Sequence, residues 1–151
     1  MINILAIGKK HEDWVETGIE RYQKRLKQPW NVSWELIAHS SYEGDRAREE
    51  ESGAILKRLK PDDTILLLDE RGDSLTSPLL SRQLEQEFST IGRTMIIIGG
   101  AYGVNAALQA RADKTISLSK LVFPHQLVRL MLIEQLYRAQ EIARGGNYHH
   151  E

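Results

Sequence analysis

Apolar positions along the chain fall into short continuous runs separated by longer stretches with helical rhythm, which predicts strands alternating with helices. Ile2 to Ile7 is aliphatic up to Gly8, and the stretch from about Glu12 to Leu26 sets Trp14, Ile19, Tyr22 and Leu26 near helical spacing. Val32 to Ile37 predicts a second strand after the break at Pro29. Ser41 to Leu59 predicts a charged helix with a thin apolar side of Ala47, Ile55 and Leu59. Its first part, Tyr42 to Gly53, fits a mobile loop equally well, since Arg46, Arg48, Glu49, Glu50 and Glu51 offer little apolar surface to anchor it.

After Pro61 the pattern sharpens. Thr64 to Asp69 is an apolar run bounded by turn formers, as expected of a strand buried on both faces. Ser77-Pro78 opens a helix to about Phe88, Met95 to Ile98 is another buried strand, and Lys114 to Leu118 a shorter one. A long helix runs from Pro124 to about Ala143. The fold class is therefore α/β, a mostly parallel sheet covered by helices. With 151 residues, no internal repeat and no linker, the chain is expected to be one domain, 1–151, with its own core. Leu127, Leu130, Met131, Ile133, Leu136 and Tyr137 make the last helix apolar on more than one face, which predicts a subunit interface and a homodimer.

Composition narrows the chemistry. No cysteine is present, which excludes thiolate zinc clusters, redox dithiols and cysteine nucleophiles. The first apolar run is too short for a membrane span and lacks the marks of a signal peptide, so a cytoplasmic location without membrane association is expected. A net charge of −1 gives no general attraction to phosphate. A basic surface would have to be local, drawn from residues such as Lys9, Lys10, Arg21, Lys24, Arg25 and Lys27; these read equally as the solvated face of a helix.

Candidate chemistry lies where strands end. Ile98-Gly99-Gly100-Ala101-Tyr102-Gly103 follows a buried strand, where open α/β sheets bind ligands and where glycine permits close backbone approach. Its spacing matches neither a dinucleotide fingerprint nor a P-loop, so a plain turn and a ligand loop are both open. Leu68-Asp69-Glu70-Arg71-Gly72 ends a second strand, and its carboxylate could meet a ribose hydroxyl, orient a base or simply face water. Leu118 to His125 is an apolar loop leading into the last helix, which carries Arg129, Glu134 and Arg138. The terminal Tyr148-His149-His150 offers an aromatic surface and imidazoles, but no carboxylate spacing for zinc, and no metal is expected.

Jointly, several segments resemble one family: Leu68-Asp69 with Gly72, the Ile-Ile-Gly-Gly-x-x-Gly of Ile97 to Gly103, Ser117 to His125, and Leu127 through Ala139. Tyr148-His149 completes the set, and Gly8-Lys9, Asp13-Trp14-Val15, Gly18 and Tyr22 extend it over the whole chain. The family is the small bacterial SPOUT methyltransferases that methylate N3 of a pseudouridine in 23S ribosomal RNA. The resemblance implies a SPOUT fold with a C-terminal trefoil knot, S-adenosyl-L-methionine as methyl donor, and a homodimer acting on the large subunit or assembled ribosome. It places the cofactor among Leu68, Gly100, Gly103, Leu118, Ser119, Lys120, Leu121, Val122 and Phe123. It makes Tyr148 and His149 the residues of the RNA site. One departure stands out: the family tail usually continues Tyr-His with Arg, and here His150 takes that place, giving up a permanent bidentate phosphate contact. The alternatives are a SPOUT enzyme acting on transfer RNA, a noncatalytic RNA-binding or assembly dimer, and, on fold alone, a flavodoxin-like nucleotide binder.

Overall fold

Five strands, each followed by a helix, make up the computed structural model, which describes residues 1–150. In chain order they are β1 (Ile2–Ile7), α1 (Asp13–Gln23), β2 (Val32–Ile37), α2 (Gly44–Leu56), β3 (Thr64–Ser74), α3 (Ser77–Glu87), β4 (Thr94–Ile98), α4 (Ala106–Arg111), β5 (Lys114–Ser117) and α5 (His125–Ala143). One sheet holds them in the order β2-β1-β4-β3-β5, with every pair parallel. A flavodoxin-like domain runs 2-1-3-4-5. The exchange of β3 and β4 removes that alternative.

Side chains alternate between the two faces of a strand, which is why the apolar runs are uninterrupted. Ile2, Ile4, Leu66 and Ile96 point to one face and pack with Val15 and Ile19 of α1, Leu80 and Leu84 of α3, and Leu132, Ile133 and Leu136 of α5. Leu5, Ile7, Ile65, Leu67, Met95 and Ile97 point to the other, against Ile55 of α2 and Leu108 of α4. A fully buried aliphatic side chain contributes roughly 1.5–3 kcal/mol, so each face requires a helical layer. Edge strand β2 has one face only partly covered and accordingly alternates half-buried with exposed residues up to Ile37.

Three elements differ from the sequence pattern. β3 does not stop at Asp69 but resumes at Asp73 and Ser74 beside β5 after a register shift. Gly72 permits this, because a Cβ there would lie 2.6 Å from the Thr115 backbone. The bulge swings residues 69–71 off the sheet without ending the strand. Residues 44–56 are helical, not a mobile loop. α4 has no apolar periodicity; it starts because the Asn105 side chain accepts a hydrogen bond from Leu108 N–H at 2.9 Å.

α5 also revises an inference. It packs between α1 and α3, and Ile133, Leu136 and Tyr137 are buried within their own chain. Most of its apolar surplus is therefore used internally, leaving Leu127, Leu130 and Met131 half-buried. Among the described residues, no helix is long and apolar enough to cross a membrane.

Candidate active site

Because β3, β4 and β5 are parallel, their carboxyl ends open on one side, and the loops that follow them enclose a cleft of about 760 Å³. Leu68, Gly100, Gly103, Leu118, Ser119, Leu121, Val122 and Phe123 line it, eight of the nine positions the resemblance assigns to the cofactor. Lys120, the ninth, points away from the cleft, and its Nζ donates to the Gly72 carbonyl at 3.2 Å. Leu121 and Val122 stand exposed on the lip, 69% and 80% accessible, an apolar surface that a ligand could cover. Asp69 accepts from the Arg71 backbone N–H and from its guanidinium at 2.8–2.9 Å. That side-chain bond to Arg71 outweighs burial and holds the Asp69 carboxyl below its ordinary range.

The glycine loop is braced by α2, whose Arg48 and Glu49 also line the cleft, and these bonds explain why a helix with so little apolar surface is ordered. Arg48 Nε donates to the Tyr102 carbonyl at 2.8 Å, Asn105 N–H to Ser52 Oγ at 2.9 Å, and Asn105 Nδ2 to Glu49 Oε2 at 3.1 Å. Glu51, buried, accepts from Ser40 N–H at 3.0 Å. At about 0.5–1.5 kcal/mol each, these four bonds together equal or exceed the burial of one aliphatic residue such as Ile55. They also change the meaning of Gly100. A Cβ there would meet the Glu51 carboxylate, so a side chain at Gly100 would have to displace that buried group. Gly103 is different: it has φ +78° with open space around it, a turn geometry that favours glycine.

His125 lines the cleft from the first turn of α5. Burial, then the nearby Arg129 charge, lower its pKa, so the imidazole is neutral at physiological pH.

The tail lies elsewhere on the chain. Tyr148 packs edge-on against Tyr137, its hydroxyl donates to Glu134 Oε1 at 3.1 Å, and the Arg138 guanidinium stands 4.8 Å from its ring centre. Arg138 bonds the same Glu134 oxygen at 2.6 Å and approaches His149 Nδ1 at 3.3 Å. Burial, together with the Glu134 charge, pushes the Tyr148 phenol up to about 12. Roughly 20 Å of helix, at about 1.5 Å per residue, separates Arg138 from His125. Tyr148 is thus brought to Glu134 and Tyr137, and both Tyr148 and His149 to Arg138, while neither lines the cleft. Glu151 lies outside the described residues.

Residues 48–52, Asn105 and the role of His125 escape the sequence pattern. Asn105 followed by Ala106-Ala107 is the one available signal, a helix cap directly after the glycine loop.

A cleft at the carboxyl ends of parallel strands is where open α/β proteins bind their ligands. Residues 1–149 match the family model described as predicted SPOUT methyltransferase, and the chain belongs to that family. It is 44% identical over 146 residues to "Ribosomal RNA large subunit methyltransferase H" of Synechococcus sp. (strain CC9902), covering 97% of this chain and 94% of the relative. Proteins of the same name from Geotalea daltonii and Bacteroides thetaiotaomicron are 40% and 36% identical, each alignment spanning at least 98% of both chains.

Proposed function

We propose that this protein is an S-adenosylmethionine-dependent methyltransferase that modifies N3 of a pseudouridine in 23S ribosomal RNA, working as a cytoplasmic homodimer on the large subunit or assembled ribosome. Whole-length similarity to proteins named for large-subunit ribosomal RNA methylation supports the reaction and the substrate. The observation that carries the reading is the three-loop cleft in a chain of SPOUT sequence.

The cleft suits the donor. Its walls combine an apolar lip from Leu118, Leu121, Val122 and Phe123 with the exposed backbone of residues 99–105, which fits a molecule joining a flat purine to polar ribose and amino-acid ends. When bound, S-adenosylmethionine supplies a methyl group activated on a sulfonium sulfur. The loops hold it in place, and membership of the family implies that they belong to a trefoil knot.

The protein's remaining task is to align the N3 nitrogen with the methyl carbon and to take away the imide proton. Tyr148 stays protonated at neutral pH, so it packs against the base and does not accept that proton. His149 holds the RNA or receives the proton, imidazole being suited to transfer near neutrality. Since the tail sits far from its own cleft, it serves the cleft of the partner. Leu127, Leu130 and Met131, which line a neighbouring groove of about 540 Å³ with residues of α1 and α3, form the contact between protomers.

Transfer of a tritiated methyl group tests the assignment. Incorporation into 23S RNA of large subunits or ribosomes, and none into transfer RNA, is the expected result. Labelling of transfer RNA alone would move the protein to another SPOUT activity. Donor binding without transfer to any RNA would make it a noncatalytic dimer.

A further inference from the structure

Arg129 is the largest side chain in the molecule with no exposed surface, and among the described residues no carboxylate forms an ion pair with it. Its two terminal nitrogens are held by main chain instead, while Nε is buried with no hydrogen-bond partner among the described residues. One nitrogen donates to the carbonyls of Ile7 and Gly8 at 2.8 and 2.9 Å, and the other to the Lys10 carbonyl at 2.9 Å, with His11 Nδ1 3.3 Å away. Gln126, in the same turn of α5, accepts from Glu12 N–H at 3.0 Å and donates to the Lys10 carbonyl at 3.2 Å. Gly8 has φ +113°, and a Cβ on it would lie 2.7 Å from the Arg129 guanidinium, so the loop closes onto the cation only with glycine there.

Taking a guanidinium out of water without a counter-ion is costly, and an aliphatic residue would fill the space more cheaply. What the arginine provides is one fixed path for residues 8–12. That path leaves Lys9 and Lys10 exposed, and neither joins an ion pair among the described residues. The loop follows β1, which lies beside β4 with Ala6 opposite Ile98, so it stands one strand away from the donor cleft. The turn that clamps it also carries His125 and Val128, which line that cleft. In a chain of net charge −1, attraction to RNA must come from such local cations.

We propose that Arg129, with Gln126, is a positioning residue for RNA: it fixes residues 8–12 so that Lys9 and Lys10 meet RNA phosphates beside the donor cleft. The proposal rests on the reading of the protein as an enzyme of large-subunit RNA.

The test is the salt dependence of binding to purified large ribosomal subunits, with S-adenosylmethionine affinity measured by calorimetry on the same samples. Removing one lysine–phosphate pairing lowers the slope of log affinity against log salt by about 0.7–0.9. Lys9→Gln with Lys10→Gln is expected to lower it by about 1.5 and to leave donor affinity unchanged. Arg129→Met removes no surface charge, yet it is expected to lower the slope by at least half that amount, and adding the lysine changes should lower it little further. Gln126→Ala carries the same test should Arg129→Met not fold, and Arg129→Lys should recover part of the slope. A wild-type slope in the lysine variant overturns the pairing with RNA. A wild-type slope in the clamp variants, with a lowered slope in the lysine variant, overturns the role of Arg129. If wild-type protein does not bind large subunits at all, the functional reading itself fails.

Discussion

The cleft draws on the ends of three strands and is braced by α2, whereas the tail rests on one helix through Glu134, Tyr137 and Arg138. The first is a cavity formed within one chain. The second is a polar cluster whose Tyr148 and His149 do not line that cavity, although Glu134 borders the neighbouring groove. The contrast is one of construction: the cleft is built by the sheet and its loops, the tail cluster by one helix and the chain end, and the proposed function divides donor binding and RNA recognition between them. This division can be broken or sharpened experimentally.

The largest effect is expected from removing residues 148–151. Methyl transfer should fall by at least about 10²-fold, the range associated with deleting a general base, while donor affinity is unchanged. Mixing this truncated chain with a cleft-defective one should restore activity, because in the mixed dimer one intact tail meets one intact cleft. Mixtures as inactive as either parent would show that the tail acts within its own protomer.

Next comes the interface. Met131→Asp should give a folded monomer that binds the donor and lacks methyl transfer, as read by sedimentation and a labelling assay. Ile133→Asp is a contrasting case, because Ile133 is fully buried and a carboxylate there should unfold the chain. An active monomer of Met131→Asp would remove the partner from the mechanism.

Smaller is the effect of the brace. Gly100→Val should weaken donor binding at least about tenfold, close to 1.4 kcal/mol, by driving the loop off Glu51. Adding Glu51→Ala should recover part of that affinity, since the obstacle is that carboxylate. No recovery in calorimetry would mean that the valine meets the donor directly.

How much of this is legible in the sequence depends on what each residue answers to. β1, the first part of β3, and β4 can be read because burial on both faces forces apolar runs, and the loops after β3 and β4 follow from them, whereas β2 and β5 are only partly buried and β5 is short. The bulge in β3 cannot, since it depends on Gly72 meeting Thr115, a residue far away in sequence. α2 is ambiguous for a related reason: its ordering comes from polar bonds to residues 102–105, which leave no periodic trace. Gly100 is marked by its position, but the neighbour that a side chain there would meet within the chain is Glu51, which no spacing in the sequence connects to it. The tail is singled out only through family resemblance; its bonds with Glu134 and Arg138 carry no spacing signal of their own.

The smallest expected change is spectroscopic and isolates the tail from the cleft. Burial and the Glu134 charge raise the Tyr148 pKa to about 12, so one tyrosine should fail to ionise near pH 10 in an absorbance titration of the intact protein. Tyr148→Phe should delete that late transition and leave the others in place. Because the folded value is raised, the stability linked to this group is fully present below the unfolded tyrosine pKa, near 10, and disappears as pH climbs toward 12. Wild-type protein should therefore release its tail from Glu134 over that window, and the phenylalanine variant should show no such pH-linked release. Donor affinity should not distinguish the two proteins at neutral pH, since Tyr148 does not line the cleft. A Tyr148 that titrates near 10 would mean that the phenol is not held by Glu134, and the tail cluster would then not be a unit.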